Sequence, residues 1–137
     1  MCLMTYIATD VLLESDEWQE GKGVTICPLP AVLEDIKTQF SLPHVYMIAS
    51  SEGCGCGFLT FEDQVRAMKE RADLGKILDA AVGGRTTLEL LICFAGYERK
   101  PITQRLQSCT SQLSSVPFDN GWYYEVILVD VVSANLV

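Results

Sequence analysis

The hydrophobic residues of this chain fall into short runs, and most of these runs have the character of β-strands. Five of them combine β-branched, aromatic and other apolar residues between turn-forming segments, which is typical of strands. The predicted strands cover residues 3–9, 24–27, 44–51, 88–95 and 122–132. Residues 44–51 are apolar on both alternating faces, which predicts a central strand covered by helices on both sides.

Three other segments repeat their apolar residues at helical spacing and predict helices over 31–40, from Thr60 to about 83, and over 102–113. In the second segment Thr60 and Asp63 approximate a capping box, and Gly75 is a candidate break. This helix is predicted to bury one apolar stripe, which consists of Phe61, Val65, Met68 and Ala72. The third segment repeats Ile102, Leu106, Cys109 and Leu113.

The order of these elements predicts an α/β fold. Two strands are followed by helix, strand, helix, strand, helix and strand, an order that favours right-handed crossovers and helices packed on a sheet. We expect a single domain over 1–137, with an about five-stranded mixed or largely parallel sheet and two to three packed helices. The first two strands are also compatible with a wide hairpin.

Composition and charge exclude several classes of function. The 137 residues carry ten basic and eighteen acidic side chains, and no basic cluster exceeds Arg99-Lys100, so no nucleic-acid partner is expected. No apolar run approaches the length needed to span a bilayer, so no membrane association is expected. The first residues lack the basic charge of a targeting signal, which predicts a cytoplasmic protein. In that compartment six cysteines are expected to be reduced, metal-bound or catalytic.

The candidate site is the run Gly-Cys-Gly-Cys-Gly at 53–57, which follows the predicted central strand. Loops at the carboxyl ends of strands carry binding groups in α/β sheets. If strands 24–27 and 44–51 are parallel neighbours, Cys27 ends at the edge that carries Cys54 and Cys56. If the first strand runs antiparallel to them, Cys2 begins there too. Four sulfurs would then form a tetrahedral site for zinc or another thiophilic metal, although a one-residue gap is uncommon in closed zinc sites.

His44 is the only histidine, and its position argues against a role at this site. It opens the strand that leads to the cysteines, and seven extended steps place it roughly 23 Å from Ser51. We therefore expect His44 at the opposite edge of the sheet.

Three functions compete at this stage, and the sequence leaves enzymatic activity and any small-molecule ligand open. The leading hypothesis is a cysteine-centred metal-binding or redox site at Cys54 and Cys56, joined by Cys2 and Cys27. The second is a non-enzymatic interaction domain that forms a homodimer through its aromatic final strand, with structural cysteines. The third is a hydrolase with Cys2 as nucleophile, in which the amine freed by removal of Met1 acts as base.

Three segments of the chain also resemble a known pattern. They are MCL at residues 1–3, PHVY at 43–46 and SEGCGCGF at 51–58. Together they are similar to a small bacterial protein family. The resemblance implies that the two loop cysteines belong to one recurring pattern, and it implies no activity, substrate or cofactor.

Overall fold

The structure, a computed structural model, describes residues 2–59, 63–82 and 87–128. These residues form six strands, which are β1 (Leu3–Thr9), β2 (Thr25–Pro28), β3 (His44–Ala49), β4 (Thr87–Phe94), β5 (Gln104–Cys109) and β6 (Trp122–Ile127). One α-helix, α1, covers Gln64–Val82, and 3₁₀ helices cover Ala31–Gln39, Gly55–Phe58 and Thr110–Gln112. Within the described ranges no helix combines the length and apolar character needed to cross a membrane.

The six strands form one mixed sheet in the order β2-β3-β1-β4-β6-β5. Every neighbouring pair is antiparallel except β5 and β6, which run parallel. The α/β class and the mixed sheet are confirmed. The strand count is one higher than expected, and the first two strands do not form a hairpin, because β1 lies between β3 and β4 while β2 pairs with β3.

The second and third strands are not parallel neighbours, which was the condition for Cys27 to reach the site. Thr25 lies opposite Ala49 and Pro28 lies opposite Tyr46, so β2 and β3 are antiparallel. A parallel crossover must return along the whole length of a strand. The connection here is a short 3₁₀ helix, and its Ile36 packs into the core on one face of the sheet. It joins the end of β2 to the start of β3, which lie at the same sheet edge.

The extra strand β5 replaces the helix predicted over 102–113. The apolar residues of segment 102–113 are divided between the two faces of the sheet, because Leu106 and Leu113 pack into one core cluster and Ile102 into the other. A single helix face cannot serve both clusters. Parallel pairing with β6 places Leu106 opposite Tyr124, and this tertiary contact overrides the helical spacing.

Helix α1 buries a different face from the one expected. Val65 is 81% exposed, and the apolar stripe that includes it is not the buried side; Phe61 lies outside the described residues. The buried residues of α1 are Ala67, Glu70, Arg71, Leu74, Gly75 and Leu78. Because the charged residues Glu70 and Arg71 lie on the buried face, the apolar residues alone do not mark that face in the sequence.

Gly75 does not split α1, which is continuous through this position. A Cβ at Gly75 would clash with the carbonyl oxygen of Thr110. Glycine therefore allows α1 to pack closely against the 3₁₀ helix Thr110–Gln112.

We predict that Gly75→Ala destabilises the protein, although alanine is the better helix former by about 1 kcal/mol. The added methyl group meets a backbone carbonyl that cannot rotate away, and such overpacking costs about 1–3 kcal/mol. Urea unfolding followed by circular dichroism measures the difference. Val65→Ala, at an exposed position of the same helix, is the control and should change stability by no more than about 0.5 kcal/mol. Higher stability of Gly75→Ala would contradict the close packing.

Candidate metal centre

Three cysteines converge at one edge of the sheet. The Sγ atoms of Cys2, Cys54 and Cys56 all lie within 4.8 Å of one another. The cause is the antiparallel pairing of β1 with β3, which places the start of β1 beside the end of β3. Cys2 directly precedes β1, and the loop that carries Cys54 and Cys56 directly follows β3.

The loop lies close against the first residues of β1. A Cβ at Gly55 would lie 2.9 Å from the carbonyl oxygen of Leu3 and 2.7 Å from Oγ1 of Thr5, so this position requires glycine. The close approach brings Cys56 to the backbone of Leu3, whose N–H donates a hydrogen bond to Cys56 Sγ over 3.4 Å.

Two of the three sulfurs accept hydrogen bonds from backbone amides. Besides the Leu3 contact, the N–H of Cys56 donates to Cys54 Sγ over 3.4 Å. Donors aimed at sulfur stabilise the thiolate relative to the thiol. The same kind of outer contact orients the ligands of metal sites.

The fully buried Ser50 side chain forms hydrogen bonds with loop residues on both sides of the two cysteines. Its Oγ donates to the carbonyl oxygen of Cys54 over 2.5 Å and accepts hydrogen bonds from the N–H groups of Gly57 and Glu52. The backbone N–H of Ser50 also donates to the Cys54 carbonyl, over 2.8 Å. One side chain therefore holds the residues on both sides of the two cysteines.

Two charged residues of α1, Glu70 and Arg71, form hydrogen bonds with the backbone of the loop. Glu70, which is 6% exposed, accepts the N–H of Ser51 over 2.6 Å. Arg71, also buried, donates to the carbonyl oxygen of Phe58 over 2.8 Å. Ser50, Glu70 and Arg71 are not among the site residues predicted from the sequence. A signal was present for the last two, since both share the helical face of Leu74 and Leu78 at spacings of three, four, seven and eight residues.

Burial raises the pKa of the Cys54 thiol to about 12; the N–H of Cys56 lowers this pKa, and the neighbouring sulfurs of Cys56 and Cys2 raise it. The metal-free thiol is therefore protonated at neutral pH. Burial also raises the pKa of Cys93 to about 12 and raises that of Cys27. None of these three thiols has the lowered pKa of a reactive cysteine.

The other two residues considered from the sequence lie elsewhere. Cys27 is buried opposite Met47, and because β2 runs antiparallel to β3 the structure does not bring it to the three sulfurs. His44 lies opposite Thr9, at the far end of β1 from Cys2. Its place at the opposite sheet edge is as predicted.

No family model, curated protein or solved structure matches this chain. The resemblance of residues 1–3, 43–46 and 51–58 to a small bacterial family stays a prediction.

We predict that Ser50→Ala destabilises the protein by about 1–3 kcal/mol, because buried backbone groups lose their hydrogen-bond partner. Ser51→Ala is the matched control, since the neighbouring serine side chain is exposed and its loss should be nearly neutral. Chemical unfolding of the metal-free variants measures both changes. Equal stabilities for the two variants would show that Ser50 does not hold the loop.

We predict that alkylation of Cys54 in the metal-free protein becomes about tenfold faster with each pH unit from 7 to 10, because the thiolate is the reacting species and its pKa is about 12. Iodoacetamide labelling, with tandem mass spectrometry to separate Cys54 from Cys56, gives the rate. In urea the same thiol should reach a plateau above its ordinary pKa of about 8.5. A plateau below pH 9 in the folded protein would contradict the burial of this sulfur.

Proposed function

We propose that this protein binds one thiophilic metal ion through the Sγ atoms of Cys2, Cys54 and Cys56. The convergence of the three sulfurs within 4.8 Å is the observation that carries the proposal. Three thiolates around a tetrahedral zinc ion, with zinc–sulfur bonds of about 2.3 Å, lie about 3.8 Å apart. The longest separation in the cluster therefore has to shorten by about 1 Å at most, which small side-chain rotations can achieve.

The hydrogen bonds around the sulfurs support the same proposal. A metal ion binds thiolates, so each bound cysteine must lose its proton. The N–H groups of Leu3 and Cys56 already point at two sulfurs and lower the cost of their negative charge. The contacts of Ser50 and Glu70 keep the loop in place before the metal arrives, which reduces the entropy lost on binding.

The competing uses of the cysteines have less support. A redox or nucleophilic thiol needs a lowered pKa, whereas that of Cys54 is raised. Helix α1 begins only at Gln64, so Cys54 and Cys56 lie too far from its N-terminus for the helix dipole to stabilise a thiolate. A Cys2 hydrolase would depend on the amine freed by removal of Met1 as its base, because His44, the single histidine of the chain, lies at the other sheet edge.

The homodimer through the final strand gains no support from edge pairing in the described part of that strand, Trp122–Ile127. Strand β6 is paired on both sides, by β4 and β5, and so has no free edge. Its Tyr123 and Tyr124 are buried. A homodimer through other surfaces stays a prediction.

Titration of the reduced, metal-free protein with Cd²⁺ tests the proposal, since thiolate-to-cadmium charge transfer gives an ultraviolet band. We expect one Cd²⁺ per chain. Cys54→Ser should weaken binding by more than about a hundredfold, because loss of a direct ligand exceeds the 10–100-fold effect of losing an outer contact. Cys2→Ser should do the same with little risk to folding, since Cys2 is exposed.

Two further variants make the test specific to these three sulfurs. Cys109→Ser is the matched control, because Cys109 lies at the sheet edge opposite the site. Cys109 ends β5 opposite Ile127, and Ile127 pairs with Thr87 at the start of β4. Cys27→Ala separates a three-sulfur site from the four-sulfur site expected from the sequence. Both variants should bind Cd²⁺ like the parent. Unchanged binding in Cys2→Ser and Cys54→Ser, or none in the parent, would refute the proposal.

A further inference from the structure

Among the cysteine, histidine, aspartate and glutamate side chains of the described residues, only three sulfur atoms form the cluster. No histidine nitrogen or carboxylate oxygen of these ranges joins the three Sγ atoms within 4.8 Å. Two acidic residues that contact the loop or belong to it have other partners. Glu52 forms an ion pair with Arg66 over 2.7 Å, and Glu70 accepts the N–H of Ser51. The residues that flank Cys54 and Cys56 are glycines and carry no side chain to supply a fourth ligand.

The side of the cluster that carries Cys56 contacts the hydrophobic core. Cys56 packs against the larger hydrophobic core, in which Leu3 and Phe58 are almost completely buried. Water therefore cannot approach from this side. The exposed Cys2 marks the outer side, from which an ion enters.

These two features discriminate among the ions that thiolates select, which are zinc, iron–sulfur clusters and monovalent copper. Zinc needs four donors, so at this site it would have to retain water or another outside ligand. Iron–sulfur clusters are held by four protein ligands. Monovalent copper is a soft ion without a preference for oxygen or nitrogen, and three thiolates complete its trigonal coordination.

From this donor set we infer that the ion is Cu⁺, held three-coordinate by Cys2, Cys54 and Cys56; the inference rests on the metal-binding function proposed above. Binding changes no oxidation state. Three thiols and one Cu⁺ give a copper tris-thiolate with two net negative charges, and three protons pass to solvent. The N–H groups that point at Cys54 and Cys56 offset part of that negative charge.

The test compares two probes on the reduced, metal-free protein under anaerobic conditions. Cu⁺ is supplied as its bicinchoninate complex, whose visible absorption falls as the protein removes the ion. Zn²⁺ is supplied in the presence of 4-(2-pyridylazo)resorcinol, which competes for it. We expect one Cu⁺ per chain to leave bicinchoninate, and X-ray absorption to show three sulfurs with no oxygen or nitrogen. Zn²⁺ should stay with the competing chelator.

The variants separate this site from the other thiols of the chain. Cys2→Ser should lose the high-affinity Cu⁺ and retain the fold, which circular dichroism verifies. Cys109→Ser should take up one Cu⁺ like the parent. Uptake that is unchanged in Cys2→Ser would place the copper elsewhere and overturn the inference.

The remaining outcomes distinguish the copper inference from the metal-binding proposal. If Zn²⁺ resists the chelator and its spectrum shows three sulfurs and one oxygen, copper is the wrong ion while the three-cysteine metal site stands. If copper binds through only two sulfurs, or through nitrogen or oxygen, the three-coordinate assignment is wrong while the metal-binding proposal stands. If Cd²⁺, Zn²⁺ and Cu⁺ all fail to bind, both proposals are refuted.

Discussion

The antiparallel pairing of β1 with β3 is the constraint on which the rest of the structure depends. It aligns Thr5 with Ile48 and so places the beginning of one strand beside the end of the other. The two chain segments that carry the sulfurs extend from these two ends. A shift by one residue would turn every side chain of β1 to the other face. Leu3 and Ile7 would leave the core beneath α1, and the register therefore protects the core and the site together.

A glycine-rich loop is an entropically costly place for a binding site, because glycine loses the most backbone freedom on folding. The structure offsets this cost with buried polar side chains from both neighbouring elements. Ser50 at the end of β3 and Glu70 on α1 both satisfy backbone groups of the loop. Ser50 is buried with several hydrogen-bond partners, and the buried Glu70 accepts a hydrogen bond through Oε1 and forms an ion pair with Arg66 through Oε2 over 3.6 Å.

The face of the sheet opposite α1 is stabilised by a similar principle. Glu98 accepts the hydroxyl of Tyr6 over 2.8 Å, and Glu89 accepts the hydroxyl of Tyr123 over 2.6 Å. Burial raises the pKa of both tyrosines, so they remain protonated donors. Glu89 also accepts the N–H groups of Ser41 and Leu42, which fastens the connection before β3. Connections on both faces are thus held by buried carboxylates rather than by apolar contacts alone.

By itself the sequence determined the elements with strong local signals. Residues 3–9 are a strand with the predicted bounds, the strand at 44–51 is found as His44–Ala49, and the Gly-Cys-Gly-Cys-Gly loop follows it. Local composition suffices there, because alternation and glycine act within a few residues. Only the tertiary structure decided that residues 104–109 pair as a strand, that Glu70 and Ser50 hydrogen-bond to the loop, and that β2 carries Cys27 away from the other cysteines. Strand direction and buried polar contacts depend on partners that are distant in the sequence, so no local pattern specifies them.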